Sequence, residues 1–481
     1  MSSSELGTFS VDELQDKITA VLRRAGSDAV WGYAVHSVRL NREVASNENA
    51  DAPFIPASNV KLMTCAAALH VSHVGPCHRY ETRAWVESDG GGERGAGETR
   101  DERVLCVEPS GDPSLSTQDV RKLVRRAIAG SLQMDLSVTG AGAGSGVGAE
   151  AGGRSWATQG NGNAKWKMQV KLVGREWKDE GPHSTWEVGD LDEPWAAPPS
   201  RAVIDGNLFR TSDACAARAQ PYPLSPCAHF ISRVGDIANA DSDSEGEYHD
   251  EDDNEDLRTR GKTTEQQSTV SIHLSRPVAT IVRQALEDSN NLCAEQLLRT
   301  AAGGKDSGRW LTSWSAVFVN QQCPKPLNGL STVPRRIRLV DGSGLSRHNL
   351  APPRAFVALL RAVLEGAQLE KVEMKFPRAA SAPAPSYPNC VFLDSLPIAG
   401  RTGTLSKRFV GTAAEGTVRA KTGSMTGVAA LSGIFQPPGH SDSETMVFSI
   451  IANNAVGHTL EQRERVRAVI DEIVVLIANA R

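Results

Sequence analysis

The sequence predicts an α/β fold in which helices from the two ends of the chain pack together on one sheet. Three observations carry that reading. Residues 11–24 have the spacing of an amphipathic helix. The stretches "VWGYAVHSV" (30–38) and "TMVFSIIANN" (445–454) read as strands, the second of the fully buried type. The chain then closes on Val466, Val469, Ile470, Ile473 and Ile477, one apolar face of a last helix. A sheet with a stripe from each end against it buries all four elements at once.

Taken in order, Ser10-Val11-Asp12-Glu13 fits the S-x-x-E capping box that opens the first helix, and Leu14, Ile18, Val21 and Leu22 form its inner face. The first strand follows. "LMTCAAALHV" (62–71) is dominated by Leu, Met and Ala and reads as helix. From residue 88 to 262 the chain changes character. "SDGGGERGAGE" and "TGAGAGSGVGAEAGG" are low-complexity segments, and patches with Trp166, Trp177, Trp186 and Trp195 lie between them and an acidic ribbon. These tryptophans suit core packing better than glycan binding. Regular patterning resumes near Thr269: residues 276–301 read as helical, and "GTVRAKTGSM" (416–425) as a strand entering a turn. The expected division is a catalytic domain from 1–90 and 263–481, an inserted module at 91–236, and an acidic linker at 237–262.

At 481 residues two domains are expected. The net charge of −5 offers no basic surface for nucleic acid. Ten carboxylates fall between Asp241 and Asp256, leaving a mildly basic remainder. The eight cysteines form no CxxC pair, so neither a zinc site nor a disulfide scaffold is indicated, and a pair such as Cys215–Cys227 stays open. The eleven histidines show no metal-binding spacing, and no metal or cofactor is expected. No apolar run reaches the roughly 18–20 residues that span a bilayer, so no transmembrane segment is expected. The first 18 residues lack the basic and apolar regions of a secretory signal. The chain is therefore expected in the cytosol, or with a targeting segment lying outside this sequence.

Three short motifs carry chemistry. In "PASNVK" (56–61), Ser58 and Lys61 are three residues apart at the start of a helix, so they share a face. A serine hydroxyl is a weak nucleophile until a base takes its proton, and a lysine can do so where burial keeps it partly neutral. Ser289-Asn290-Asn291 stands at the head of "LCAEQLLR", where a hydroxyl can pass a proton to a leaving group and an amide can hold the lysine or the substrate; taken alone, ordinary helix capping explains it better. Lys421-Thr422-Gly423, followed by Ser424, puts a cation, a hydroxyl and a residue without side chain at the end of a strand. Such an edge can pair with an extended peptide, with Gly423 allowing close approach and Lys421 and Thr422 binding a terminal carboxylate.

In that chain order the set S-x-x-K, S-x-N, K-T-G is the one found in penicillin-binding proteins and class A β-lactamases. The sequence resembles the D-alanyl-D-alanine carboxypeptidase/endopeptidase family of low-molecular-mass, class C penicillin-binding proteins. "PASNVKLMT", "DSNNLCAEQLLR", "DGSGLSRHNLAPP" (341–353) and "LPIAGRTGTLSKRFVGTAAEGTVRAKTGSMTGVAALSG" (396–433) are similar to segments of that family. So are "SGDPSLS" (110–116) and "APPSRAVIDGNLF" (197–209) in the insert.

The resemblance implies a serine DD-peptidase/β-lactamase-like α/β fold, an antiparallel sheet flanked by helices with the site at the sheet edge. It implies that Ser58 attacks the D-Ala-D-Ala carbonyl of peptidoglycan stem peptides, and that Lys61 takes its proton. Ser289 would relay a proton to the departing D-alanine, and Asn291 would orient Lys61 and the substrate. Lys421, Thr422, Gly423 and Ser424 would bind substrate, with the backbone N–H groups of Ser58 and Ser424 as oxyanion hole. β-Lactams would acylate Ser58 as covalent inhibitors. Two positions depart from the usual pattern, Asn290 where Asp is common and Ser424 where Thr is frequent. Neither removes a functional group.

Other classes fit less well. An α/β-hydrolase needs G-x-S-x-G, and Ser343 in "VDGSGLS" lacks both flanking glycines at the required spacing. "GAGAGSGVG" never gives G-x-G-x-x-G and reads as linker. A β-lactamase or esterase would share the acylation chemistry and differ in deacylation rate. A non-catalytic scaffold docking a basic partner through the acidic ribbon has no need of all three motifs. The substrate expects periplasm or cell envelope in a bacterium, and the Gly-rich and acidic insertions suggest a eukaryotic chain with a peptidoglycan-bearing plastid.

Overall fold

The computed structural model describes residues 8–26, 29–71, 73–88, 103–139, 168–174, 183–187, 196–197, 199–207, 226–240, 257–260, 270–322, 336–365, 390–437, 444–455 and 460–480. The Gly-rich segments, the acidic stretch 241–256, Cys215, Trp166, Trp177 and Trp195 lie outside these residues.

In chain order the elements begin with α1 (Leu14–Ala25), β1 (Val30–Ser37), β2 (Arg42–Ser46) and α2 (Val60–His70). Next come β3 (Glu81–Ser88), β4 (Arg103–Glu108), α3 (Thr117–Thr139), β5 (Met168–Leu172), α4 (Pro226–Ala240), β6 (Leu257–Arg260) and β7 (Val270–Leu274). Then follow α5 (Val278–Glu287), α6 (Asn291–Ala302), α7 (Ser307–Gln322), α8 (Pro353–Leu364) and α9 (Val391–Asp394). The chain ends with β8 (Val418–Met425), β9 (Val428–Phe435), β10 (Met446–Asn453) and α10 (Leu460–Asn479).

Two compact units result, one from Met1–Arg79, Gly181–Pro199 and Arg276–Arg481, the other from Tyr80–Glu180 and Ser200–Ser275. The first holds a five-stranded sheet in the order β2-β1-β10-β9-β8, antiparallel throughout. Its end strand β8 carries the K-T-G residues. On one face, Leu14, Ile18 and Val21 of α1 and Ile470, Ile473 and Ile477 of α10 share a core with Tyr33, Val35, Phe448 and Ile450. Gly32, Ala34 and His36 of β1 and Val447, Ser449 and Ile451 of β10 alternate with these residues and are buried as well, with α8 against both strands. Both chain ends meet as expected: Phe9 N–H donates to the Asn479 carbonyl at 3.3 Å. Ser10 caps the first turn by accepting from Asp12 N–H at 3.3 Å, one residue earlier than a capping box requires, because that turn is a 3₁₀ turn (Val11–Glu13).

The second unit holds a sheet in the order β5-β4-β3-β7-β6, with β4 and β5 parallel. Side chains of α3 and α4, among them Leu123, Val124, Phe230 and Val234, share its core with Ala84, Val86, Leu105 and Val107. The division differs from the expected one at three places. This unit starts at Tyr80 and takes in β7, because β7 pairs with β3 and β6 in its sheet. Residues 181–199 belong instead to the first unit, held there by side-chain bonds to residues 341–347 described below. Where a linker was expected at 237–262, α4 runs to Ala240 and β6 occupies Leu257–Arg260.

The expected helix over 276–301 is two helices. Ser289 adopts a left-handed backbone (φ +60°) and Asn290 an extended one, which ends one helix and opens the next.

Candidate active site

Ser58 sits on a 3₁₀ turn, Ala57–Asn59, that runs directly into α2. Ala57 has φ +47°, a conformation costing an L-residue about 1–2 kcal/mol. Three contacts hold the turn in that shape. A Cβ on Gly344 (φ +87°) would lie 2.0 Å from the Ala57 carbonyl oxygen, and one on Gly423 would lie 2.6 Å from that of Pro56. Asn59, fully buried, donates its side-chain amide to Ser432 Oγ of β9 at 2.8 Å, and Ser432 bonds to Ser449 Oγ of β10 at 2.8 Å. The nucleophile's backbone is thereby fixed to three strands. Gly423 was expected to make room for a substrate; the room it makes is for the turn that carries Ser58.

One residue into α2, the ammonium of Lys61 is sealed from solvent. It donates to Ser58 Oγ at 3.0 Å, to Asn291 Oδ1 at 2.5 Å and to the Ser343 carbonyl at 2.5 Å. An ammonium has three donors, and all three are used. Burial lowers its pKa to about 8, against the opposing pull of the Asp341 and Glu295 charges.

The S-x-N residues divide their work. Asn290 caps α6, its side chain accepting from Cys293 N–H at 2.9 Å, a duty Asp performs equally well. Asn291 holds Lys61. Ser289 Oγ accepts from Lys421 Nζ at 2.9 Å, which leaves the serine's own proton to be given elsewhere. Capping and catalytic placement therefore coexist in one tripeptide.

Lys421 is also fully buried, donating to Ser289 and to the Thr422 carbonyl at 3.0 Å. Burial, and then the charge of Lys61, hold its pKa well below the usual lysine value. Its ammonium was expected, together with Thr422, to bind a substrate carboxylate. In the structure it bonds to Ser289, through whose hydroxyl its charge can act on a bound anion. Thr422 is half-buried and Ser424 exposed on the same strand. The outer edge of β8 is occupied at its beginning, where Ala399 N–H bonds to the Val418 carbonyl (2.9 Å) and Ala420 N–H to that of Pro397 (3.0 Å). The stretch beyond Ala420 presents the edge to which an extended peptide can add.

A further layer escaped the sequence reading. Glu295 Oε1 accepts from Gly342 N–H (2.9 Å) and Ser343 N–H (2.8 Å), while Oε2 takes the Arg299 guanidinium (2.8 Å). Asp341 accepts from Gly344 and Ser346 N–H, Asn349 Nδ2 and Trp186 Nε1 at 2.7–2.9 Å. Burial and the Glu295 charge raise the Asp341 pKa. Thr185 Oγ1 bonds to Ser346 Oγ at 2.6 Å and Glu187 pairs with Arg347. Together these fix the loop whose Ser343 carbonyl touches Lys61. The signals available were the Glu295/Arg299 spacing of four on α6 and the segment "DGSGLSRHNLAPP".

With this geometry in hand, comparison with known proteins is decisive. The profile of the D-Ala-D-Ala carboxypeptidase 3 (S13) family matches residues 14–143 and 254–479. The chain belongs to that family. Two curated relatives illustrate the similarity. Penicillin-sensitive carboxypeptidase A of Dictyostelium discoideum is 33% identical over 215 residues, 43% of this chain and 35% of that protein. D-alanyl-D-alanine carboxypeptidase of Actinomadura sp. strain R39 is 28% identical over 486 aligned positions, 92% of this chain and 82% of that protein. The match to the first thus spans about a third of its length. Among solved structures, penicillin binding protein 4 (dacB) from Haemophilus influenzae superposes with a TM-score of 0.59 at 18% identity, covering 96% of this chain and 97% of that one. That likeness establishes the shared fold, the serine DD-peptidase/β-lactamase-like arrangement expected from the sequence.

Proposed function

We propose that this S13 protein is a serine-type D-Ala-D-Ala carboxypeptidase acting on peptidoglycan stem peptides through an acyl-enzyme on Ser58. One observation carries the reading: Lys61 Nζ lies 3.0 Å from Ser58 Oγ, and its other two contacts, Asn291 and the Ser343 carbonyl, leave it aimed at that hydroxyl. Neutral Lys61 takes the Ser58 proton as Oγ attacks the carbonyl between the two D-alanines. Negative charge on the carbonyl oxygen meets the backbone N–H groups of Ser58 and Ser424. Ser289 gives its proton to the departing D-alanine nitrogen and regains the one that Ser58 surrendered, passed on from Lys61 by way of Lys421, which returns Lys61 to the neutral amine. Water then attacks the acyl-enzyme, delivering a proton to Lys61 and restoring Ser58. The K-T-G strand holds the substrate in extended form, its terminal carboxylate at Thr422. A β-lactam follows the same first step, with its ring amide in place of the peptide bond. The site of action follows the substrate: a compartment that contains peptidoglycan, a plastid in a eukaryotic cell.

The test is intact-mass spectrometry after incubation with benzylpenicillin, wild type against Ser58→Ala. A penicilloyl adduct on wild type alone, mapped to the "PASNVK" peptide, is expected. Assays with pentapeptides ending in D-Ala-D-Ala and with crosslinked muropeptides then separate carboxypeptidase from endopeptidase activity. Rapid release of penicilloate would identify a β-lactamase. No adduct and no hydrolysis from folded protein would overturn the proposal. Recovery of the tagged protein in cytosol alone, with no longer precursor, would refute the plastid assignment.

A further inference from the structure

Thr404 stands on the short turn Gly403–Leu405, where no motif placed a functional residue. Its hydroxyl accepts from Thr422 Oγ1 at 3.0 Å, the one hydrogen bond it makes among the described residues. Thr404 is exposed and Thr422 half-buried, so a solute can reach both.

The turn is anchored on two sides. Gly403 has φ +52°, and a Cβ there would lie 2.4 Å from the carbonyl oxygen of Glu287, the last residue of α5 and two before Ser289. Leu405 is fully buried, and its carbonyl accepts from Gly400 N–H at 3.0 Å. Thr402 Oγ1 accepts from Ile398 N–H at 3.1 Å, and Ile398 lies within the stretch that bonds along β8. Thr404 is therefore fixed both to the helix that ends at S-x-N and to the strand that carries K-T-G. An exposed threonine on an idle surface turn has no need of such anchoring.

We propose that Thr404 is a second donor to the substrate's C-terminal carboxylate, paired with Thr422. This rests on the DD-peptidase reading above. Two hydroxyls at hydrogen-bond separation can each donate to one oxygen of the same carboxylate, which fixes the anion's orientation as well as its position. Hydroxyl protons rotate freely, so Thr422 donates to Thr404 in the free protein and both turn to the anion when it arrives. Lys421, behind Ser289, adds its charge without touching the anion.

The experiment uses two thioesters with the same acyl-D-alanyl group. One has a thioglycolate leaving group with a free carboxylate, the other the methyl ester of that group. For Thr404→Val the ratio of kcat/KM, carboxylate over neutral, is expected to fall roughly ten- to hundredfold, the scale of one hydrogen bond to a charged group. Thr404→Ser is expected to retain the ratio. The same fall should appear when Thr404→Val is made in a Thr422→Val background. An unchanged ratio would overturn the proposal. So would a fall that vanishes in the Thr422→Val background, since Thr404 would then merely orient Thr422. Benzylpenicillin labelling of Ser58 is read in parallel: wild type that neither labels nor cleaves either thioester would sink the DD-peptidase reading itself, whereas labelling and cleavage with an unchanged ratio would sink only the role of Thr404.

Discussion

The indole N–H of Trp186 donates to Asp341 Oδ2 at 2.9 Å, so a side chain from the middle of the chain secures the loop that contacts the candidate base. Trp186→Phe keeps most of the buried ring and removes that donor. Asp341 retains its backbone partners, and a loss of about 1–3 kcal/mol of stability is expected in denaturant titrations. Acylation by benzylpenicillin should slow with it, as Ser343 drifts from Lys61. Full stability and full rate would show that the bond is dispensable.

Acylation should depend on pH through Lys61. Only the neutral amine can take the Ser58 proton, and the neutral fraction grows as pH rises through its pKa of about 8. The acylation rate is therefore expected to climb below that value and level off above it. Asn291→Asp would put a carboxylate where Oδ1 now sits, 2.5 Å from Nζ, and favour the ammonium. Its rising limb should move to higher pH. A wild-type profile flat from pH 6 to 9 would argue against Lys61 as the base.

Glu295 and Arg299 form an ion pair whose side chains are 1% and 7% exposed. Removing one partner of such a buried pair commonly costs about 3–5 kcal/mol. Glu295→Ala should approach that loss and abolish acylation, since Gly342 and Ser343 also lose their acceptor. Glu295→Gln keeps an oxygen for those two amides and should retain more activity than stability. Equal behaviour of the two variants, read by thermal unfolding and penicillin labelling, would count against this division of labour.

Gly344→Ala should disable the nucleophile without touching it. The new methyl would sit 2.0 Å from the Ala57 carbonyl oxygen, at a backbone angle unsuited to alanine. Gly423→Ala meets Pro56 at 2.6 Å and should act the same way. Labelling of Ser58 is expected to drop at least tenfold in each. Gly411→Ala, also at positive φ but with open space around it, serves as the control for backbone strain alone.

The motifs were legible because their chemistry needs particular side chains at short spacing: Ser58 with Lys61, Ser289 with Asn291, Lys421 with Thr422. The paired terminal helices were legible because Leu14, Ile18, Ile470 and Ile473 repeat at helical period. What escaped acts through the backbone or across long separations. The segment "DGSGLSRHNLAPP" could be picked out, but not that the Ser343 carbonyl within it would meet Lys61, and nothing in the spacing of Trp186 and Asp341 announces that they meet. The break at Ser289 was legible only as a helix cap in Ser289-Asn290-Asn291; the left-handed backbone of Ser289 that makes it has no signature of its own. The sealing of Lys421 behind Ser289 depends on burial, which K-T-G by itself does not report.

The order of strands in the first sheet also bears on how the protein comes into being. β1 is flanked by β2 and β10, and β10 begins at Met446, more than 400 residues downstream. At the usual 5–20 residues per second, β1 waits on the order of 20–80 s on the ribosome for its partner. Ser432 and Ser449, which fasten Asn59, and Gly423, which supports Ala57, are also made late. A nascent chain carrying Ser58 and Lys61 thus lacks the scaffold that would make them reactive, and its unpaired strand is a natural client for chaperones. The site is armed only after β10 has been made.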